Sequence, residues 1–151
     1  MLTDYDAVAY IRGNAEFPKI YGTVGFKKAN GGTWVDVDVK NLPKFSPETE
    51  ESPQIGPHGF HIHEKPCGND FEDAGGHFNP DNMPHGNHKG DLPVLFSNGG
   101  VAKMLVYTDK FTPDDVIGRS VVIHSSPDDY KTQPAGGSGE RIACGTIEKA
   151  E

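Results

Sequence analysis

The chain has 151 residues, two cysteines, and 14 Lys and Arg against 22 Asp and Glu, for a formal net charge of −8. That length suits about one domain with its own buried core, so a single domain over residues 1–151 is expected. The acidic balance, with no lysine or arginine run, excludes the basic face that nucleic acid or an anionic membrane surface demands. The sequence holds no apolar stretch of about 18 residues and no basic start followed by an apolar run, so neither a membrane-spanning helix nor a signal peptide is expected among these residues.

Apolar and polar residues alternate over 7–11, 20–26, 34–39, 60–63, 101–106, 120–124 and 141–147, each a short strand signal. Turn chemistry separates them: Asn30-Gly31-Gly32 after the second, Asn98-Gly99-Gly100 before the fifth, Gly136-Gly137 before the last. Nineteen glycines and 12 prolines mean many turns but fall short of the share, about 25–30%, at which chains tend to disorder. Seven or eight strands at this spacing, with no helical apolar period between them, predict an all-β antiparallel sandwich or barrel. Segments 64–93 and 125–140 carry no strand pattern. Loops of that length in a compact domain are usually functional.

The chemistry-bearing residues lie in or beside those loops. His61, His63, His77, His85 and His88 fall in one stretch closed by Asp91, and His124 follows alone. Residues two apart on a strand project from one face, so His61 and His63 can reach the same ion. Imidazole suits both copper and zinc, whereas a carboxylate among histidines fits tetrahedral zinc. His77, His85, His88 and Asp91 offer three nitrogens and one oxygen, a closed zinc shell without an open position. Seven candidate ligands exceed what one ion needs. If His77 is shared, four nitrogens (His61, His63, His77, His124) remain for copper beside the zinc group. Cys67 and Cys144 lie in no CxxC pair; two isolated thiols point to one disulfide, with two buried reduced cysteines as the alternative.

Several motifs together resemble the copper,zinc superoxide dismutases: Gly-Phe-His-Ile-His-Glu at 59–64, Gly-Gly-His-Phe-Asn-Pro at 75–80, Gly-Asp-Leu-Pro at 90–93, Gly-Arg-Ser-Val-Val-Ile-His at 118–124 and Gly-Glu-Arg-Ile-Ala-Cys-Gly at 139–145. The wording of the last loops is similar to bacterial members. The resemblance implies an eight-stranded antiparallel Greek-key β-sandwich or barrel with long zinc-binding and electrostatic loops. It implies one copper per subunit at His61, His63, His77 and His124, and one zinc at His77, His85, His88 and Asp91. The shared His77 would be an imidazolate bridge that leaves copper, takes a proton on reduction and gives it up on reoxidation. It also implies a Cys67–Cys144 disulfide, Arg141 beside copper in the access channel, and Asp128 hydrogen-bonded to His61 and His85. His58 matches a structural histidine of the family.

The activity implied is disproportionation of the superoxide anion. A non-catalytic copper- or zinc-binding module of the same family should lack a copper-type histidine or the channel arginine, and neither is missing. A zinc hydrolase would want three protein ligands and a metal-bound water, which the fourth ligand Asp91 opposes. Family dimers use different surfaces in bacteria and eukaryotes, so a homodimer is open. A disulfide together with the bacterial wording implies export to the periplasm, cell surface or exterior, by a leader absent from this chain, with the cytoplasm as the alternative. The sequence departs from the family in two places. Gly86 and Asn87 alone separate His85 from His88, so the zinc loop must close tightly, and the 127–140 loop is short with Lys131 as its one base.

Overall fold

The computed structural model describes residues 2–151. Its strands overlap the alternating segments: β1 Ala7–Gly13, β2 Tyr21–Ala29, β3 Gly32–Lys40, β4 Phe60–His63, β5 Ala102–Thr108, β6 Ser120–His124 and β7 Arg141–Lys149. β4 and β6 match those segments, the other five strands end beyond them, and β2 and β5 start one residue later. The extensions follow from backbone pairing, which needs no alternating side chains: Lys27, Lys28 and Ala29 pair with Trp34, Thr33 and Gly32 across a turn whose Gly31 has φ 80°. Helix is confined, among the described residues, to a 3-10 turn at Phe71–Ala74 and to α1, Pro113–Val116. Among the described residues no helix is long and apolar enough to cross a membrane.

All seven strands pair antiparallel in one sheet, in the order β4-β6-β7-β1-β2-β3-β5. Val35 and Val37 of β3 share one buried cluster with Phe60 and Ile62 of β4 and Val121 and Ile123 of β6. Strands from opposite ends of the order therefore face one another, and the sheet curls into a half-barrel around its core. Beyond β4, Asp91 and Leu95 meet His61 and His58 through isolated bridges instead of a continuous ladder. Pro93 between them has no N–H to donate.

β4 and β6 are buried on both faces. Phe60 and Ile62 enter the core, so the period of two sends His61 and His63 to the opposite face. There the segments 64–93 and 125–140 cover them. Val122 packs on that side with Cys67, Phe71, Ala74 and Cys144 in a second apolar cluster, and Cys67 and Cys144 are joined in a disulfide.

Candidate metal centre

β4 supplies His61 and His63, and β6, its neighbour in the sheet, supplies His124. His77 is laid beside them because the loop after β4 returns along its edge: His77 bridges His63, and the Phe78 N–H donates to the Ile62 carbonyl at 2.8 Å. The Ile62 N–H donates to the Gly90 carbonyl, also at 2.8 Å, which brings Asp91 opposite His61. Besides the set of His61, His85 and Asp128, two groups result with donor atoms within 4.8 Å of one another: His61, His63, His77 and His124, and His77, His85, His88 and Asp91. His77 belongs to both.

Hydrogen bonds assign the nitrogen that each ring presents. His61 Nε2 donates to Asp128 Oδ2 at 2.7 Å, His63 Nδ1 to the Gly75 carbonyl at 2.9 Å, and His124 Nδ1 to the Gly139 carbonyl at 3.3 Å. The opposite nitrogens, His61 Nδ1, His63 Nε2 and His124 Nε2, are buried without a hydrogen-bond partner, as is His77 Nε2. In the second group His85 Nε2 donates to Asp128 Oδ1 at 2.8 Å and leaves its Nδ1 unpartnered, 3.2 Å from Asp91 Oδ2 but without hydrogen-bond geometry. His77 Nδ1 lies 2.9 Å from His88 Nδ1 and 3.0 Å from Asp91 Oδ1. A buried polar atom left unpaired costs about 1–3 kcal/mol, so five converging bare nitrogens fit metal ions far better than they fit a passive core.

The electrostatics agree. Burial pushes the His61 imidazole down to about 4 and that of His124 to about 3, and holds His63 well below the usual range. Burial also lowers His88. Neutral rings keep the lone pair that a metal requires. Burial alone would raise both carboxylates, but hydrogen bonds from His61 and His85 outweigh it at Asp128, and those from His77 and the His88 N–H do so at Asp91, leaving both acids lowered and ionised. Asp91 Oδ2 further accepts from the Gly86 and His88 N–H groups at 2.8 and 3.0 Å, which closes the tight two-residue link between His85 and His88.

Arg141 reaches this face through a β-bulge. Ile123 pairs with Ala143 but His124 pairs with Arg141, so Ile142 is an extra residue that turns into the core. That extra residue re-aims Arg141 to the side of His124. The guanidinium is partly buried; Nη1 donates to the Phe71 carbonyl at 2.9 Å, and Nε stands 3.8 Å from Glu72 Oε1. It lines a recess of about 490 Å³ with Arg12, Asn14, Phe71 and Glu72. His58 lies apart from both groups, fully buried, with Nδ1 donating to the His124 carbonyl at 2.9 Å.

The comparisons with known proteins fit this geometry. Residues 20–147 match the family model described as copper/zinc superoxide dismutase. The chain belongs to the copper/zinc superoxide dismutase family. Its relatives include a superoxide dismutase [Cu-Zn] of Legionella pneumophila, 36% identical over 95% of this chain and 87% of that protein. Others, from Deinococcus radiodurans and Brucella abortus, are each 36% identical over 86% of this chain and 78% and 80% of their own lengths. Within this member, the sequence does not reveal the main-chain acceptors Gly75, Gly139 and Phe71. Carbonyls carry no residue-type signal, and only the fold reveals them.

Proposed function

We propose that this chain disproportionates superoxide to dioxygen and hydrogen peroxide at a copper and a zinc held by the two histidine groups. The observation that carries the reading is His77, whose Nε2 is a bare buried nitrogen among His61, His63 and His124 while its Nδ1 faces His88 and Asp91. On this reading His61, His63, His77 and His124 hold copper, and His77, His85, His88 and Asp91 hold zinc.

Copper supplies the one-electron couple that dismutation needs, whereas zinc has no accessible redox state and contributes charge and shape. The protein's own residues do the rest. His77 Nε2 is the atom suited to carry a proton to reduced substrate, since it has no competing hydrogen bond and its ring is fixed through Nδ1. Arg141 offers planar donors to a small anion at the mouth of the site. Its local field can draw superoxide in despite the net charge of −8. Asp128 holds the His61 and His85 rings in the tautomers that point Nδ1 inward.

The finer architecture we propose is a single domain with an eight-stranded Greek-key barrel, the eighth strand running through 91–95 beside β4. The disulfide fits an oxidising compartment, and with bacterial relatives it favours export. Metal content and a superoxide assay on one sample test the activity. Copper-dependent turnover is expected, and bound zinc without activity after copper loading would leave the non-catalytic module instead.

A further inference from the structure

Gly86 and Asn87 are too few to shape the loop between His85 and His88 by packing of their own. Asp91 closes that loop on one side, through the N–H groups of Gly86 and His88. The main chain of His85 is met from elsewhere, by the side chain of Gln133, 48 residues away in the 125–140 loop. The His85 N–H donates to Gln133 Oε1 at 2.7 Å, and Gln133 Nε2 faces the His85 carbonyl at 3.5 Å. The carboxamide thus pairs with both polar groups of one residue, as a neighbouring strand would. It is itself steadied by donation from Nε2 to the Lys131 carbonyl at 2.8 Å.

Two neighbours of Gln133 hold the same ligand. Asp128 takes the His85 side chain at Nε2. The Tyr130 carbonyl lies where a Cβ on Gly86 would project, so the turn after His85 is seated against it. One stretch, 128–133, therefore fixes His85 by side chain, by main chain and by the following turn. Gln133 is exposed, so its substitution removes no core packing.

We propose that Gln133 is a positioning residue for the group of His77, His85, His88 and Asp91: by clamping the His85 main chain it aims Nδ1 and sets the affinity for zinc. The proposal rests on the reading that this group holds zinc. Partners behind metal ligands typically change metal affinity by about 10–100-fold when removed.

The test is Gln133→Leu, which keeps volume and loses both hydrogen bonds with His85 together with the one to the Lys131 carbonyl. Its zinc affinity is measured by chelator competition, the visible spectrum of cobalt(II) is recorded in the same group, and the melting temperature is taken on the metal-free protein. Zinc affinity about tenfold weaker, an altered cobalt spectrum and an unchanged metal-free melting temperature are expected. Wild-type affinity and spectrum would overturn the proposal, and so would a loss of affinity matched by a fall in metal-free melting temperature. His88→Ala separates the two readings. If it abolishes zinc binding while Gln133→Leu changes nothing, only the role of Gln133 fails; if it leaves zinc binding intact, the zinc assignment fails and this inference with it.

Discussion

Arg141 donates from Nη1 to the Phe71 carbonyl across 2.9 Å, which ties the last strand to the loop that follows the first histidine pair. The bulge at Ile142 aims the guanidinium at the His124 face, and the carbonyl of Phe71 then fixes its direction. On the proposed function, a small anion docking there would meet donors on a fixed frame. Arg141→Glu reverses the charge without removing a proposed metal ligand. The superoxide rate should fall by roughly tenfold or more, since charged channels alter anion encounter by that order, while copper content stays at the wild-type level. An unchanged rate would remove Arg141 from the mechanism.

The same frame depends on the disulfide. Cys144 lies three positions beyond Arg141 on β7, and Cys67 lies four before Phe71, so the bond Cys67–Cys144 brackets the Arg141–Phe71 contact. Its sequence separation is 77. In the chain-entropy model, losing a closure of that span costs roughly 4 kcal/mol. Cys144→Ser should lower unfolding stability by about that amount in denaturant titrations, and it should reduce the superoxide rate more than it reduces copper content. A rate that falls only in step with copper would separate the disulfide from the orientation of Arg141.

Gly136 makes a sharper point about the site. A Cβ there would collide with Asp128 Oδ1 and with His85 Nε2, the two ends of one hydrogen bond, and its φ of 74° already disfavours a side chain. Gly136→Ala should cost more than about 1 kcal/mol from backbone strain alone. It should also weaken zinc retention by breaking the Asp128–His85 contact. Chelator competition reads the second effect; wild-type zinc retention would show that the loop can yield without disturbing His85.

These contacts mark where the sequence stops being legible. The seven strands are legible as alternation, as in β4, where Phe60 and Ile62 face the core and His61 and His63 the opposite side. The seven residues of the two groups were visible because their side-chain types are themselves the signal. The supports were not: Phe71, Gly75 and Gly139 act through carbonyls, Gly136 through the absence of a side chain, and Gln133 across 48 residues with no pattern linking it to His85. The aim of Arg141 depends on one extra residue in β7, and residue types alone do not reveal a bulge.

Acid should destabilise the metal-free protein over a window fixed by the buried rings. His61 and His124 titrate near 6.5 when unfolded, but burial holds them at about 4 and about 3 in the fold. Above 6.5 both states carry neutral rings, so these residues make stability independent of pH. Below it the unfolded chain takes up protons that the folded chain refuses, and each ring costs about 1.4 kcal/mol per pH unit until its folded value is reached. Asp128 acts in the same direction further down: hydrogen bonds from His61 and His85 outweigh its burial and lower it from 3.8, so its contribution is present above 3.8 and is lost as pH falls towards about 2. Denaturant midpoints of the metal-free chain should therefore be level from about pH 8 to 6.5 and should fall steeply towards about pH 4. Exchange of His61 for a residue that does not titrate should flatten part of that fall. A midpoint constant between about pH 6.5 and 4 would mean that the rings are protonated in the fold, and the bare nitrogens would then lack the lone pairs that metal binding needs.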